Sequence, residues 1–211
     1  MDVFEELSAY VQQGRAKNVK ELAEKALGEG KSAKEILEKG LLTGMSIIGE
    51  KFKNNEVYVP EVLVAARAMN AGMEVLKPVM VDSDIESKGK AVLGTVKGDL
   101  HDIGKNLVKI MLEGKGIEVI DLGVDVSPEK FIQAAVDNNA QIIACSALLT
   151  TTMSTMKDVV ALADEKGVHG KVKVMVGGAP VTQNFCDKIG ADFYASDAAS
   201  ASDIALQICA Q

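Results

Sequence analysis

Tryptophan is absent from this 211-residue sequence, and aromatic residues make up only 4% of it, so its core must be aliphatic. No apolar run is long enough to cross a bilayer, and no basic block interleaved with aromatic residues occurs. With a formal net charge of −7, neither a nucleic acid nor a membrane is expected as a partner. The first residues, MDVFEELSAY, lack the basic start and apolar stretch of a secretory signal, so we expect a cytoplasmic protein.

Cysteine and histidine are also scarce. The three cysteines, Cys145, Cys186 and Cys209, are an odd number, lie far apart and form no C-x-x-C pair. This pattern argues against a disulfide framework and against a zinc site. Only two histidines occur, so the sequence around one of them, His101, is informative.

Residues 1–77 show only helical periodicity. Ser32 and Glu35 have the spacing of a capping box at the start of one helix. Pro60 fits the first turn of a further helix. Four helices with short connections predict a four-helix bundle over residues 1–85.

A different pattern begins at residue 90, after a charged segment with Pro78 that predicts a linker and hinge over 78–89. Five short runs rich in Val, Ile and Ala alternate with helical stretches, which is typical of βαβ units around a parallel sheet. The first four runs are almost continuously apolar, as expected for a sheet covered on both faces. We therefore predict an α/β domain over 89–211 with a flavodoxin-like, five-stranded parallel sheet. Ligands of such sheets bind at the carboxyl ends of the strands.

The loop after the first of these strands, VKGDLHDIG, places His101 at that edge, with Asp99 two residues before it and Gly104 three residues after it. Residues two apart in an extended loop point the same way. Asp99 is thus placed to hold one ring nitrogen of His101 and leave the other free for a metal. One imidazole is too few ligands for a zinc site, so such a metal needs a macrocycle of its own. The alternative is a surface histidine with a chance acidic neighbour.

The loops after the third and fourth strands also suit a large ligand. CSALLTTTM carries hydroxyl groups at Ser146, Thr150, Thr151 and Thr152, although capping the next helix needs only one of them. VGGAP carries the glycine pair 177–178, which either forms a turn before a helix starting near Pro180 or clears a channel for the tail of a ligand.

Together these residues resemble the cobalamin-binding motif D-x-H-x-x-G, here Asp99, His101 and Gly104, followed by S-x-L at 146–148 and by G-G at 177–178. The stretch GMSIIGEKFKNNEVYVPEVLVAARAMNAGMEVLKP is similar to the helical cap that precedes the cobalamin domain in methionine synthase and in corrinoid methyl carriers. The resemblance covers nearly the whole chain and leaves no room for a catalytic barrel. The sequence thus resembles a free-standing corrinoid protein of the three-component methyltransferase systems.

This resemblance implies roles for the matching residues. His101 would be the lower axial ligand of cobalt in place of the cofactor's own benzimidazole, the His-on, base-off arrangement. Asp99 would hydrogen-bond His101, and Thr152 would extend this relay where the family can have a serine. The other expected corrinoid contacts are Asp102, Gly104, Ser146, Leu148, Thr150, Gly177 and Gly178 in the sheet domain, and Phe52, Val59 and Val62 in the cap. The alternative for the three cap residues is the core of the bundle itself.

The implied function is one-carbon transfer, with the chain as a component of an enzyme system and not a complete enzyme alone. A substrate-specific methyltransferase would supply the methyl group from methanol, a methylamine, glycine betaine or a methyl aryl ether. A second methyltransferase would load it onto tetrahydrofolate or coenzyme M, and a reductive activator protein would restore the cobalt. The sequence leaves the donor and the acceptor open.

Three other classes of protein share part of this sequence pattern. The small subunit of an adenosylcobalamin mutase shares the motif but normally lacks the helical cap. A cobalamin-based sensor can carry a similar cap but should bring a DNA-binding or signalling domain. A receiver-like signalling domain without cofactor needs an aspartate after its third strand, where this sequence has CSALL.

Overall fold

The computed structural model describes residues 2–80 and 87–210, and the chain divides into two compact units, Met1–Glu86 and Ser87–Gln211. The predicted linker falls partly outside the described residues, since residues 81–86 are not among them. Residues 78–80 are helical, so the prediction that the linker starts at Pro78 is wrong. A proline in the last turn of a helix removes only one hydrogen bond of the ladder, which explains why the helix continues through it.

The described part of the first unit is helical, as predicted. Its elements are α1 (Val3–Gln12), α2 (Ala16–Gly28), α3 (Ala33–Glu35), a π-helix (Ile36–Leu42), α4 (Thr43–Lys53) and α5 (Val59–Met80). The backbone N–H of Glu35 donates to the Ser32 hydroxyl, so the predicted cap at the start of α3 is present. The segment from α3 to α4 is continuous, so the described residues form four helical rods. Their fully buried side chains include Leu7, Val19, Ile36 and Leu76.

The π-helix is a feature that periodicity does not predict, because an apolar spacing of three or four residues fits both helix types over two turns. Gly40 lies in this segment against Leu7 of α1, where an added Cβ would stand 3.1 Å from the leucine side chain. Gly44, one turn further, approaches α1 so closely that an added Cβ would be 2.8 Å from the carbonyl oxygen of Ser8. Small residues therefore set the distance between these helices.

The second unit alternates strands and helices. Its strands are β1 (Lys90–Thr95), β2 (Glu118–Asp121), β3 (Ile142–Ser146), β4 (Lys173–Gly177) and β5 (Phe193–Ala195). Its helices are α6 (Ile103–Gly114), α7 (Pro128–Asp137), α8 (Ser154–Glu165), α9 (Gln183–Ile189) and α10 (Ala198–Cys209). All paired strands are parallel, in the order β2-β1-β3-β4-β5. The predicted α/β class with a flavodoxin-like sheet is confirmed.

The sheet is buried on both faces, which explains its continuous apolar strands. Alternate residues of β1 enter different clusters: Val92 packs with Phe131 and Val159, whereas Leu93 packs with Leu112. Gly94 is required by close packing, because an added Cβ would stand 2.8 Å from the Phe131 ring. In the described part of the chain, no helix combines the length and the apolar character needed to cross a membrane.

The strand order creates a switch point between β1 and β3. The chain leaves β1 for β2 on one side and later returns to β3 on the other side, so the two carboxyl ends lie next to each other. Loops from both strands meet there, and open α/β sheets bind their ligands at such a point. The loop after β1, residues 96–102, is called the His101 loop below.

His169 lies at the opposite, amino edge of the sheet, between two carboxylates. Its Nδ1 is 2.6 Å from Asp164 Oδ1 and its Nε2 is 2.9 Å from Asp192 Oδ2. A carboxylate at each nitrogen fits the imidazolium, in which both nitrogens donate. Burial lowers the pKa of His169, but the hydrogen bonds to Asp164 and Asp192 outweigh burial and raise the pKa above its ordinary value.

We expect this cluster to make stability depend on pH. Because the folded state binds the proton more tightly, the stabilisation is complete below the unfolded-state pKa of about 6.5 and is lost as pH rises through the folded-state value. The free energy of unfolding, measured by urea titration, should therefore fall as pH rises above about 6.5, the ordinary pKa of histidine. His169→Gln should remove this part of the pH dependence. If His169→Gln lowers the free energy of unfolding by the same amount below about pH 6.5 and well above it, the prediction is contradicted.

Candidate functional site

The carboxylate of Asp99 organises the switch point. This side chain is fully buried, and both of its oxygens accept hydrogen bonds. Oδ1 accepts the backbone N–H of His101 at 3.1 Å and lies 2.7 Å from Nδ1 of the same residue. Oδ2 accepts the backbone N–H groups of Leu148 and Leu149 at 2.8 and 3.2 Å. It also lies 2.9 Å from the Thr152 hydroxyl. One carboxylate thus joins the loop after β1 to the loop after β3.

These contacts keep Asp99 ionised. Burial alone would raise the pKa of this carboxyl group, but the N–H of Leu148 and the ring and backbone of His101 lower it. The Thr152 hydroxyl acts in the same direction, and the resulting pKa lies far below the ordinary range. An ionised carboxylate can only accept hydrogen bonds, so Nδ1 of His101 is the donor in the 2.7 Å contact.

The ring of His101 is therefore fixed at one nitrogen and presented at the other. With the proton on Nδ1, the neutral ring carries its lone pair on Nε2. Within residues 2–80 and 87–210, no hydrogen bond to this Nε2 is recorded, and 51% of the side chain is exposed. A buried carboxylate that fixes the tautomer and leaves the second nitrogen accessible is the arrangement of a metal-ligating imidazole.

Thr152 does not cap α8. The residue before that helix is Met153, and no side-chain hydrogen bond caps it. The Thr152 hydroxyl is buried, with Asp99 Oδ2 and the carbonyl oxygen of Leu149 both at 2.9 Å. Its single proton is held more strongly by the ionised carboxylate. The predicted His101–Asp99–Thr152 chain is thus continuous in space, although its catalytic role stays a prediction.

The predicted glycines differ in what surrounds them. Gly178 has φ +132°, and an added Cβ would overlap the carbonyl oxygen of Ala147. Gly177 ends β4 beside β5, where an added Cβ would be 3.0 Å from the carbonyl oxygen of Ala195. Gly104, in the first turn of α6, faces open space, since an added Cβ would meet no atom within 4 Å. α9 begins at Gln183 with Thr182 as its cap, so the helix expected near Pro180 starts three residues later.

The remaining predicted contacts of the sheet unit lie on the same edge. Ser146 ends β3 and is partly buried, whereas Asp102, Leu148 and Thr150 are exposed. Asp102 precedes α6 and binds the side chain of Asn106 at 3.1 Å. The structure therefore brings the predicted sheet-unit residues to one edge, and their contacts with a corrinoid stay predictions.

An exposed apolar rim lies near His101, and of its side chains only Leu148 was predicted from the sequence as a ligand contact. Leu100, which directly precedes the histidine, is 71% exposed, and Ile103, two residues after it, is 78% exposed. Leu148 and Leu149, whose N–H groups bind Asp99, are also exposed. Large apolar side chains that are exposed at one edge of a sheet mark a surface that a ligand or partner covers. Their adjacency to the D-x-H motif was a signal available in the sequence.

A buried ion pair next to the His101 loop was also overlooked. Lys105, in the first turn of α6, is 3% exposed, and its Nζ lies 2.6 Å from Asp121 Oδ1 at the end of β2. A cation in the first turn opposes the helix dipole, so its burial requires this carboxylate. Lys109 and the N–H of Gly123 also bind Asp121. The pair fixes the start of α6 to the sheet.

The predicted cap residues lie in the first unit. Phe52, near the end of α4, and Val59, the first residue of α5, are partly exposed. Val62 is fully buried, so as placed it offers no surface to a ligand. The proposed contact of these three residues with a corrinoid stays a prediction.

The donor set fits a cobalt corrinoid. One imidazole nitrogen, held by a buried carboxylate, suits an ion whose other ligands come from a macrocycle. Among the described residues, no group of three or more His, Cys, Asp or Glu side chains is arranged to hold a metal ion. The open space at Gly104 and the exposed apolar rim are compatible with a large ligand that covers this edge of the sheet.

Fold and site together define a cofactor-binding α/β domain that presents a single anchored imidazole at its switch point. The B12 binding domain family matches residues 89–202, and a second family with the same description matches residues 3–77. The chain belongs to the B12 binding domain family, and its cofactor is a cobalamin or a related corrinoid.

Individual relatives agree with this assignment. The chain is 46% identical to trimethylamine corrinoid protein 1 of Methanosarcina acetivorans, covering 89% of this chain and 87% of the relative. It is 44% identical to dimethylamine corrinoid protein 1 of the same organism, covering 95% and 94%. Among solved structures, it matches the methanol:cobalamin methyltransferase complex of Methanosarcina barkeri with a TM-score of 0.90 and 30% identity, covering 99% of this chain and 80% of that one.

Proposed function

We propose that the protein is a methyl carrier that shuttles a methyl group on its corrinoid between methyltransferases. The observation that carries this proposal is the His101 ring, which is anchored at Nδ1 by a buried carboxylate and accessible at Nε2. The relatives support it, since they are named as corrinoid proteins for trimethylamine and dimethylamine, and the matching solved structure is a methanol:cobalamin methyltransferase complex.

A bound corrinoid supplies a cobalt centre that accepts and releases methyl groups, chemistry that side chains do not provide. His101 would hold this centre through Nε2, the ring nitrogen that Asp99 leaves accessible. Asp99 would hold the Nδ1 proton and keep the ring oriented, because its low pKa leaves the carboxylate ionised at neutral pH. Thr152 would stabilise the same carboxylate from the side of the loop after β3.

The remaining residues of this edge would hold the cofactor. Ser146, Leu148 and Thr150 would contact it from the loop after β3. Gly104 would leave room for its tail, and the 177–178 pair would keep the loop after β4 close to Ala147 without blocking that room. Each of these groups binds, orients or makes space, and none of them transfers the methyl group itself.

The proposed partners follow from this role. A substrate-specific methyltransferase would load the carrier, and the named relatives favour a methylamine or methanol over glycine betaine or a methyl aryl ether as the donor. A second methyltransferase, acting on tetrahydrofolate or coenzyme M, and a reductive activator protein complete the proposed system. The location in the cytoplasm stays a prediction.

The test is a visible absorption spectrum of the protein after incubation with methylcobalamin and removal of free cofactor. Wild type should retain the chromophore, and His101→Ala should change its spectrum because the axial nitrogen is lost. His169→Gln is the matched control, since it alters the only other histidine, at the opposite edge, and should give the wild-type spectrum. Folded wild-type protein that retains no corrinoid would contradict the proposal.

A further inference from the structure

Two contacts fix the backbone of the His101 loop independently of Asp99's side chain, and neither belongs to the D-x-H-x-x-G motif. We propose that Thr95 and Asp125 are positioning residues that set the direction in which the His101 ring points. The inference rests on the proposed function, in which His101 is the axial ligand.

Thr95 restrains the backbone of His101. It is the last residue of β1 and is fully buried, and its hydroxyl donates to the carbonyl oxygen of His101 at 2.8 Å. Its own backbone is fixed by neighbouring strands and loops, since its N–H donates to Gly123 and its carbonyl oxygen accepts from Val126. The hydroxyl is therefore a rigid anchor. Fixing the carbonyl of His101 fixes the peptide group that follows its Cα atom, and this restrains the direction in which the side chain leaves the backbone.

Asp125 holds the loop from the side of β2. Its Oδ1 accepts the N–H of Gly98 at 2.7 Å, and its own N–H donates to the carbonyl oxygen of Asp99 at 3.0 Å. Asp125 has φ +55°, a conformation that L-residues rarely adopt but that aspartate and asparagine tolerate better than most. Gly98 has φ +84°, so both partners of this hydrogen bond have a positive φ.

These anchors act in different directions. Asp99 ties the loop to the β3 side through Leu148 and Leu149, Asp125 ties it to the β2 side, and Thr95 ties it to the end of β1. A bond at Nδ1 restrains rotation of the ring but leaves the position of the Cα atom to the backbone. An axial ligand must be held within about 0.5 Å of its productive position, so anchors on both sides of the loop are required.

The experiment compares pairs of variants that differ in one polar group. Thr95→Val removes the hydroxyl and keeps the branched shape, and Thr95→Ser keeps the hydroxyl. Asp125→Gly removes the acceptor and tolerates the positive φ, and Asp125→Asn keeps an acceptor and also tolerates it. Each full-length protein is labelled with nitrogen-15 at histidine, loaded with cobalamin and reduced to cobalt(II). In its electron paramagnetic resonance spectrum, a nitrogen-15 hyperfine splitting reports ligation by the imidazole, and it differs from the nitrogen-14 splitting that the cofactor's own benzimidazole would give.

We expect Thr95→Val and Asp125→Gly to lower the imidazole-ligated fraction relative to the unligated one by roughly fivefold each, the effect of one lost hydrogen bond. Thr95→Ser and Asp125→Asn should restore the wild-type splitting. In apoprotein labelled with nitrogen-15 at histidine, Thr95→Val and Asp125→Gly should shift the ring signals of His101 and leave those of His169 unchanged. A role in folding alone would move neither the splitting nor the His101 signals in folded protein.

Two failures are distinguishable. If His101→Ala shows the same cobalt(II) spectrum as wild type, His101 is not the axial ligand, and both the proposed function of His101 and this inference are overturned. If His101→Ala loses the splitting while Thr95→Val and Asp125→Gly keep the full wild-type splitting, only the positioning inference is overturned.

Discussion

Asp99→Asn is expected to lower the affinity of the imidazole for the corrinoid cobalt by about 10- to 100-fold, the usual effect of losing the partner of a metal-bound histidine. The reason is that both carboxylate oxygens face donors. Oδ2 meets two backbone N–H groups, from Leu148 and Leu149, and Oδ1 meets one N–H and the ring of His101. An amide nitrogen in place of either carboxylate oxygen would therefore face at least one backbone N–H group, which is a donor that cannot rotate.

The orientation with the smaller conflict determines the tautomer. An amide nitrogen next to Leu148 and Leu149 would oppose two fixed donors, so the asparagine should direct its NH2 group toward His101. The ring can then accept at Nδ1 only if its proton moves to Nε2, which removes the lone pair that a metal needs. The variant would therefore keep the histidine in place, but its Nε2 would be protonated and unable to bind a metal.

Nitrogen-15 NMR of histidine-labelled apoprotein measures this tautomer directly, and the absorption spectrum of the loaded protein measures its consequence. Asp137→Asn is the matched control, because it makes the same chemical change at an exposed side chain at the end of α7. An Asp99→Asn variant with an unprotonated Nε2 and a wild-type spectrum would show that the carboxylate does not control the ligand.

Asp99 also links the site to acid stability. Its folded-state pKa lies below the unfolded-state value, so its stabilisation is present above about pH 4 and is lost as pH falls. Asp99→Asn should therefore be less stable than wild type by about 2 kcal/mol near pH 7, because the amide NH2 group opposes the backbone N–H of His101 and the remaining hydrogen bonds lose their charged acceptor. The difference in the free energy of unfolding, measured by urea titration, should shrink on acidification.

The sequence predicted those features that local patterns determine. Alternating apolar strands and helices indicated the parallel sheet, and the D-x-H spacing indicated contact between Asp99 and His101, because two residues in one loop need no tertiary information. The cap at Ser32, in which the Glu35 N–H donates to the serine hydroxyl, depends on a spacing of three residues and was confirmed for the same reason. The resemblance to corrinoid proteins was confirmed by the family match.

The features that were missed depend on contacts between distant segments. The N–H groups of Leu148 and Leu149 reach Asp99 across about fifty residues of chain, and no local pattern encodes this. The anchors Thr95 and Asp125 depend on the path of the loops after β1 and β2. Helical periodicity also could not distinguish a buried bundle residue from a ligand contact at Val62, which the structure places in the interior.

Gly178→Ala and Gly104→Ala are expected to reduce corrinoid retention by different routes. At Gly178, the backbone has φ +132° and an added Cβ would overlap the carbonyl oxygen of Ala147. Ala147 immediately precedes Leu148, whose N–H holds Asp99, so the shift that relieves the overlap disturbs the Asp99 network. We expect Gly178→Ala to lower the free energy of unfolding of the apoprotein by about 3 kcal/mol or more, as strain and overpacking combine.

Gly104 has neither constraint, since its φ is not in the left-handed region and an added Cβ would meet nothing within 4 Å. In the first turn of α6, alanine should leave the apoprotein as stable as wild type or up to about 1 kcal/mol more stable, because alanine favours helix more than glycine does. The space at Gly104 is needed only if the cofactor fills it.

Gly104→Ala should therefore fold normally and still lose corrinoid. Urea titration of the apoprotein measures its stability, and the absorbance retained after gel filtration measures the bound corrinoid. Full retention of corrinoid by Gly104→Ala would remove Gly104 from the site, and wild-type stability of Gly178→Ala would show that the loop after β3 moves freely.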